Sequence, residues 1–127
     1  MVSLYAGLES AAGKRLHKMT KSLLPAEKIR VFRTVDELSR GLHQPGVRPN
    51  ILILLADNRK ALSECLSLND LLWDLRIILV LPDRDSETVS KGCTLYPRYL
   101  TYADSDFMDV ASVLEKMLNL DVLKKAV

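Results

Sequence analysis

Two uninterrupted apolar runs restrict the fold of this chain more than any other feature. They are Ile51–Leu55 and residues 77–81, and neither contains a polar residue. A strand with one solvated face alternates apolar and polar residues, whereas a strand buried on both faces is apolar throughout. Strands of the second kind are typical of parallel sheets covered by helices. The two runs therefore predict a sheet enclosed between two helical layers.

Further β–α units precede and follow these runs. Other strands are predicted at Val2–Tyr5, Ile29–Phe32 and residues 98–102, and a segment with helical spacing follows each strand. The first helix places apolar residues every three or four positions, at Leu8, Ala12, Leu16, Met19 and Leu23. The last helix does so at Phe107, Val110, Ala111, Leu114, Met117 and Leu118. Five such units predict an α/β fold, a three-layer α/β/α sandwich around a five-stranded parallel sheet.

Short polar signals predict the helix boundaries. Thr34 and Glu37 form a capping box at the start of the second helix. The third helix is expected to end near Asn69, and a weakly patterned fourth helix is expected over residues 86–93. The fifth and last helix is expected to be capped by one of two polar residues, Asp104 or Ser105.

Charge is uneven along the 127 residues, although the net charge is only +2. Residues 1–48 hold nine Lys and Arg against four Asp and Glu, whereas residues 49–127 hold nine against twelve. The fold is therefore expected to have a basic side and an acidic side. The small net charge gives no reason to expect a nucleic-acid partner.

Other features bear on the surroundings of the protein. Cys65 and Cys93 lack the spacing of a metal site, which indicates a reducing cytoplasm. The first residues lack the pattern of a signal peptide, and the apolar runs are too short to span a bilayer. We expect a cytoplasmic protein with no membrane partner.

The loop after the first strand has only a superficial likeness to a phosphate-binding loop. Five residues separate Gly7 from Gly13, where a P-loop has four, and Arg15 follows Lys14 in place of the hydroxyl that binds magnesium. Glu9 would also repel a phosphate within the loop. We interpret the stretch as a glycine turn that leads into a basic helix.

The order and spacing of all five units resemble the receiver domain of response regulators, in the CheY-like superfamily. The resemblance covers residues 2 to about 119 and is strongest at residues 49–55, 76–82 and 99–103. It implies a flavodoxin-like fold with strand order 2-1-3-4-5. It also implies a receiver-like domain over residues 1–120, with residues 121–127 as a tail or linker.

The residues that perform receiver chemistry are replaced here. The resemblance puts the phosphoacceptor at Leu55, the hydroxyl residue at Leu81 and the lysine at Tyr102, followed by Ala103. The acidic pair after the first strand falls on two small residues, Ala6 and Gly7. Aspartyl-phosphate formation needs carboxylates, a hydroxyl and an ammonium group. The chain is therefore expected to be a pseudo-receiver with no catalytic residue, metal or cofactor.

Asp57 is an alternative acidic candidate, two residues beyond the phosphoacceptor position. With Glu9, Asp83 and Asp104 it could form an edge that holds a divalent cation for an enzyme acting on a small ligand. Each of these carboxylates also lies near a predicted helix start, where anions are favoured without any ligand. We favour this second interpretation.

Two surfaces are candidates for interaction. The resemblance implies a face made by the fourth helix, fifth strand and fifth helix, through which receivers commonly dimerise. Aromatic, thioether and acidic residues mark it here, namely Tyr99, Tyr102, Asp106, Met108 and Asp109. The other surface is a basic stripe on the first helix, with Lys14, Lys18 and Lys21. A solvated helix face is the more common reason for such a stripe, and binding of anions or nucleic acid is the alternative.

These observations predict a non-catalytic interaction module in signal transduction or regulation. Its protein partners are not named by the sequence, and a homodimer through the second-last helix, last strand and last helix is expected.

Overall fold

One parallel sheet organises the molecule, and the computed structural model describes residues 2–7, 9–44 and 50–126, with side chains to residue 119. Its strands are Val2–Tyr5 (β1), Ile29–Phe32 (β2), Ile51–Leu55 (β3), Arg76–Leu81 (β4) and Tyr99–Tyr102 (β5). They pair in the order β2-β1-β3-β4-β5, all parallel. The predicted strand order and the flavodoxin-like α/β class are confirmed, and the arrangement is compatible with a CheY-like fold.

Six helices accompany the sheet in the described residues. They are Ala11–Leu23 (α1), Val35–His43 (α2), Arg59–Leu66 (α3), Asn69–Leu72 (α4), Ser86–Cys93 (α5) and Met108–Ala126 (α6). The predicted fourth and fifth helices are therefore α5 and α6, because the short α4 precedes them. Leu8, predicted on the apolar side of the first helix, lies outside the described residues.

The core lies in two layers, one on each side of the sheet. On one side α1 and α6 cover the sheet, and Leu16 and Leu114 are fully buried there. The helices α2 to α5 cover the other side, where Leu38 and Leu62 are buried. Every residue of β3 is at most 1% exposed. Burying one such aliphatic side chain contributes about 1.5–3 kcal/mol, so the apolar run at the centre of the sheet is a main source of stability.

The second helix begins as a capping box, with one difference from the usual pattern. The Thr34 hydroxyl accepts a hydrogen bond from the Glu37 amide at 3.1 Å. The Glu37 carboxylate accepts one from the amide of Arg33 at 2.8 Å, one residue before the cap. The pair thus stabilises both the helix start and the end of β2.

One predicted helix boundary is wrong, and one of the two alternative caps of the last helix is excluded. The third helix ends at Leu66 and not near Asn69, which instead starts α4. Asp104 does not cap the last helix, because its carboxylate binds Arg84. Ser105 accepts a hydrogen bond from the Phe107 amide, just before α6.

The last helix is longer than the pattern indicated. It runs without interruption to Ala126, past residue 120, where the predicted domain gives way to a tail or linker. In the described part of the chain, no helix combines the length and the apolar character that crossing a bilayer requires.

Candidate functional site

The carboxyl ends of parallel strands lie at one edge of the sheet, where α/β proteins place their ligand sites. In this chain the residues that end the central strands are part of the core. Ala6, Leu55 and Leu81 each have 0% exposure. At these three positions no side chain is accessible to solvent, whereas Tyr102, at the position of the lysine, is partly exposed.

The packing explains why these positions are closed. Leu55 lies in the cluster under α1 and α6, together with Leu4 and Phe107. Leu81 lies under α5, so closely that a Cβ atom added to Gly92 would be 3.0 Å from its Cδ2 atom. These side chains hold the helices onto the sheet.

Asp57 is exposed at the end of β3, beyond the last ladder hydrogen bond. The Ala56 amide donates to the Val80 carbonyl at 2.9 Å, and Asp57 is the next residue. Its carboxylate lies beside Gly7, since a Cβ atom there would be 3.9 Å from Asp57 Oδ2. The following residue, Asn58, caps α3 by accepting a hydrogen bond from an amide in its first turn.

The alternative acidic edge, with Asp57, Glu9, Asp83 and Asp104 around one cation, does not assemble. Among the described residues, no group of three or more His, Cys, Asp or Glu side chains has an arrangement that could hold a metal ion. Asp83 and Asp104 instead bind separate arginines. The reason is that two arginines lie at this edge, Arg59 at the start of α3 and Arg84 in the loop after β4, and each binds one of these carboxylates.

Arg84 forms the most elaborate cluster at this edge. Its guanidinium binds Asp104 through two contacts, Nη1 to Oδ2 at 2.6 Å and Nη2 to Oδ1 at 3.0 Å. It also lies 4.3 Å from the ring centroid of Tyr102. The hydrogen bond from Arg84 holds the pKa of Asp104 below its ordinary value. The cluster joins the loops after β4 and β5, and it covers the ring of Tyr102, the residue that stands at the position of the receiver lysine.

A second arginine joins α3 to the loop after β4. Arg59 binds Asp85 at 2.7 Å and Asp83 at 3.3 Å. The pKa of Asp83 lies below its ordinary value, first because the Thr88 hydroxyl donates to it and then because the Asp85 amide and Arg59 do. Asp85 also caps α5 through the amide of Glu87. The carboxylates of this loop are thus engaged in structural contacts.

The loop between β5 and α6 has an unusual backbone that a third arginine supports. Phe107 is fully buried with a φ of 64°, a left-handed conformation that costs a bulky residue roughly 1–2 kcal/mol. The Arg15 guanidinium donates to the Ala103 carbonyl at 2.7 Å and to the Ser105 carbonyl at 3.4 Å. It lies 5.4 Å from the Phe107 ring centroid. Arg15 is therefore committed to this loop and does not extend the basic stripe of α1.

The predicted interaction face is divided between the two sides of the sheet. Tyr99 packs with the cluster under α6, whereas Tyr102 packs with the cluster under α5. This follows from their spacing, because residues three apart on a strand point to opposite faces. Met108, at the start of α6, is 71% exposed.

The acidic residues of that face already have partners within the chain. Asp109 accepts hydrogen bonds from the hydroxyls of Tyr99 at 2.9 Å and Ser105 at 3.0 Å. Partial burial raises the pKa of Asp109, but these bonds and one from Thr101 outweigh it and leave the pKa below its ordinary value. Asp106, which is exposed, accepts a bond from the first amide of α6.

The basic stripe on α1 lines a shallow depression of about 280 Å³, formed by Lys14, Lys18, Lys21 and also His17.

The loop that precedes this helix is closed by its own hydrogen bonds. The Gly7 carbonyl accepts from the amide and the hydroxyl of Ser10, at 3.3 and 3.0 Å.

Sequence reasoning missed the three arginines that organise the strand ends. Arg15 contacts a residue 88 positions away, and Arg84 contacts one 20 positions away. No local pattern marks such pairs. The signal for Arg59 and Arg84 is their position: each follows a central strand, β3 or β4, and an acidic residue follows a neighbouring strand. Neither the protein-family models nor the curated proteins compared with this chain give a match.

Proposed function

We propose that this chain is a non-catalytic, receiver-like module that acts in signal transduction or regulation by binding other proteins. It takes up no phosphate at the position of the receiver aspartate. It works in a reducing cytoplasm, in keeping with its two free cysteines, Cys65 and Cys93.

The observation that carries the proposal is the state of the strand-end edge. Leu55 and Leu81 are core residues with no exposed surface. The acids Asp83 and Asp104 are bound by arginines. With Leu55 and Leu81 buried and with Asp83 and Asp104 bound by arginines, these positions offer neither the free carboxylate nor the hydroxyl that receiver phosphoryl transfer uses. What the fold then offers is a rigid framework whose exposed surfaces can bind other proteins.

A phosphodonor experiment tests the absence of receiver chemistry. The chain is incubated with acetyl phosphate and Mg²⁺, and its intact mass is measured. We expect the mass to stay unchanged in the wild type and in Asp57→Asn. Addition of one phosphate to the wild type that is lost in Asp57→Asn would overturn the proposal.

The alternative function is an enzyme that uses a divalent cation or small ligand around Asp57. Its supporting observation is the exposure of Asp57 beside Gly7. A ligand that binds the folded state raises the melting temperature by mass action. We expect Mg²⁺ and Ca²⁺ to cause no rise, while a rise that Asp57→Asn abolishes would favour the enzyme.

The proposal includes a homodimer formed through α5, β5 and α6. Met108 supplies an exposed apolar side chain at the start of α6, and Tyr96, after α5, is 87% exposed. Arg98, just before β5, and Lys116, on α6, are exposed and can meet Asp106 of a second copy. A two-fold contact requires such self-complementary groups on one face.

Sedimentation at tens of micromolar tests the dimer. Met108→Glu places a charge on the proposed face while remaining favourable at a helix start. The matched control is Ala26→Glu, at an exposed turn beside β2 on the opposite edge of the sheet. We expect only Met108→Glu to yield monomers. A monomeric wild type, or a dimer that Met108→Glu leaves intact, would contradict this part of the proposal.

A further inference from the structure

Four basic side chains gather on the solvent side of α1. Lys14, His17, Lys18 and Lys21 line the open depression of about 280 Å³. Their spacing of three and four residues places them in one row along two turns of helix, a length of about 10 Å. The three lysines are exposed and His17 is half-buried. We call these four residues the α1 basic cluster.

A further cation, Arg33, acts on this cluster from another element. Partial burial lowers the pKa of His17, and the charges of Lys21 and Arg33 lower it further. Arg33 follows β2, so the positive potential comes from two elements of the fold and not from one helix face alone. A positive potential that comes from two elements favours the binding of an anion at this surface.

The charge of the cluster is not neutralised within the described part of the chain. The three lysines make no ion pair there, whereas Arg59, Arg84 and Lys91 all bind carboxylates. The strand order explains this separation, because the first third of the chain forms the β2 edge and the acidic loops lie toward β5. Uncompensated charge on a concave surface attracts anions and increases their rate of association.

The shape of the depression and its surroundings discriminate among anionic partners. Small-molecule sites are deep and mostly apolar, whereas this one is shallow and lined by lysines. Single-stranded nucleic acid needs aromatic surfaces on which bases stack. The exposed aromatic residues among those described, Trp73 and Tyr96, follow α4 and α5 on the other side of the sheet. Residues 49–127 hold twelve Asp and Glu against nine Lys and Arg, so an anionic partner is drawn to the α1 side of the molecule and not to the β5 side.

An acidic polypeptide segment fits these constraints. Side chains three or four residues apart on a helix have Cβ atoms about 5–6 Å from each other. The lysines of α1 have this spacing, and so do the carboxylates along one face of an acidic helix. Lysine ammonium groups on flexible stems can pair with such carboxylates without a fixed geometry.

We propose that the α1 basic cluster is the docking surface for an acidic segment of a partner protein, whose carboxylates pair with Lys14, Lys18 and Lys21. This inference rests on the proposed function, because it names the chemistry of the partner that the module binds.

Fluorescence anisotropy with a labelled polyglutamate peptide tests the surface on the full chain. The variant Lys18→Glu/Lys21→Glu reverses two charges of the cluster. The control Lys60→Glu/Lys91→Glu reverses two charges on α3 and α5, across the sheet, and so has the same net charge. We expect about tenfold weaker binding in the first variant and much less change in the control. Thermal unfolding verifies that both variants fold.

Three results would overturn the docking surface: no binding of polyglutamate by the wild type, equal loss in both variants, or tighter binding of polyuridylate than of polyglutamate at the same salt concentration. Binding that weakens as salt rises from about 0.05 M to about 0.3 M supports it, because screening shortens the range of the lysine charges.

The two proposals fail separately. If polyglutamate binding is absent while acetyl phosphate leaves the mass unchanged, the docking surface is wrong and the non-catalytic module stands. If phosphate is incorporated at Asp57 while polyglutamate binding depends on Lys18 and Lys21, the surface stands and the non-catalytic module is wrong.

Discussion

The carboxyl ends of β4 and β5 and the exposed side of α1 both carry dense charge, but only the first region neutralises it within the chain. At the strand ends, Arg59 and Arg84 bind the carboxylates of neighbouring loops. On α1, the lysines of the basic cluster face solvent without a carboxylate among the described residues. Charges that are paired within the chain position loops, whereas unpaired charges remain available to a partner.

The two regions are also held in place by different means. The strand-end loops are joined by side chains that are more than half exposed, such as Arg84 and Asp104. The start of α1 is fixed by the backbone, since a Cβ atom on Gly13 would lie 2.0 Å from the Gly7 carbonyl oxygen. We therefore expect substitutions to lower the free energy of unfolding strongly where backbone packing or the core holds a segment in place. We expect small effects where exposed ion pairs hold it.

The largest effect is expected from Leu55→Asp, which restores a carboxylate at the receiver position. Leu55 has no exposed surface, so the change removes apolar packing and buries an unpaired acid. We expect the free energy of unfolding to fall by roughly 3–5 kcal/mol, as measured by urea denaturation. The control Leu55→Met keeps the volume and should cost less than about 1.5 kcal/mol. A near-native midpoint for Leu55→Asp would show that the strand end is open.

Gly13→Ala should be the next most damaging change. Alanine normally stabilises a helix relative to glycine by about 1 kcal/mol, but here its Cβ would collide with the Gly7 carbonyl and with Ser10 Oγ at 2.9 Å. We expect a net loss of about 1–2 kcal/mol on denaturation. Lys14→Ala, at the next position, is exposed and should be nearly neutral. A stabilised Gly13→Ala protein would mean that the loop yields easily.

A smaller effect, of opposite sign, is expected for Lys18→Gln. Lys14 and Lys18 are four residues apart, and like charges at this spacing destabilise a helix by about 0.2–0.5 kcal/mol. The melting temperature should rise slightly at low salt, and the difference should disappear at high salt. Arg84→Gln removes a paired cation and should not raise it. Destabilisation by Lys18→Gln would indicate that its charge is compensated.

The smallest expected change is in the titration of Asp104. Arg84 holds the pKa of this carboxyl below its ordinary value of 3.8. The associated stability is fully present above pH 3.8 and is lost as the pH falls through the lower, folded-state pKa. In Arg84→Gln, we expect NMR titration to show the pKa of Asp104 moving up toward 3.8. An unchanged titration curve would show that the pair does not persist in solution.

The sequence alone determined the architecture, because strand and helix formation depend on local patterns of apolar residues. The run that forms β3 is apolar at every position, and its predicted limits, Ile51 and Leu55, are those of the structure. Helical spacing likewise placed Lys14, Lys18 and Lys21 in one row on α1. Such features follow from the fixed periods of the two backbone conformations.

Only the tertiary structure decided which charges meet. Asp83 and Asp104 follow adjacent strands, so the sequence leaves open a shared acidic edge, yet each binds a different arginine. Phe107 fits a helical pattern but adopts a left-handed backbone before the helix, supported by Arg15 from the far end of the chain. The physical reason is that an ion pair or a ring contact depends on loop geometry in three dimensions, which apolar periodicity along the chain does not encode.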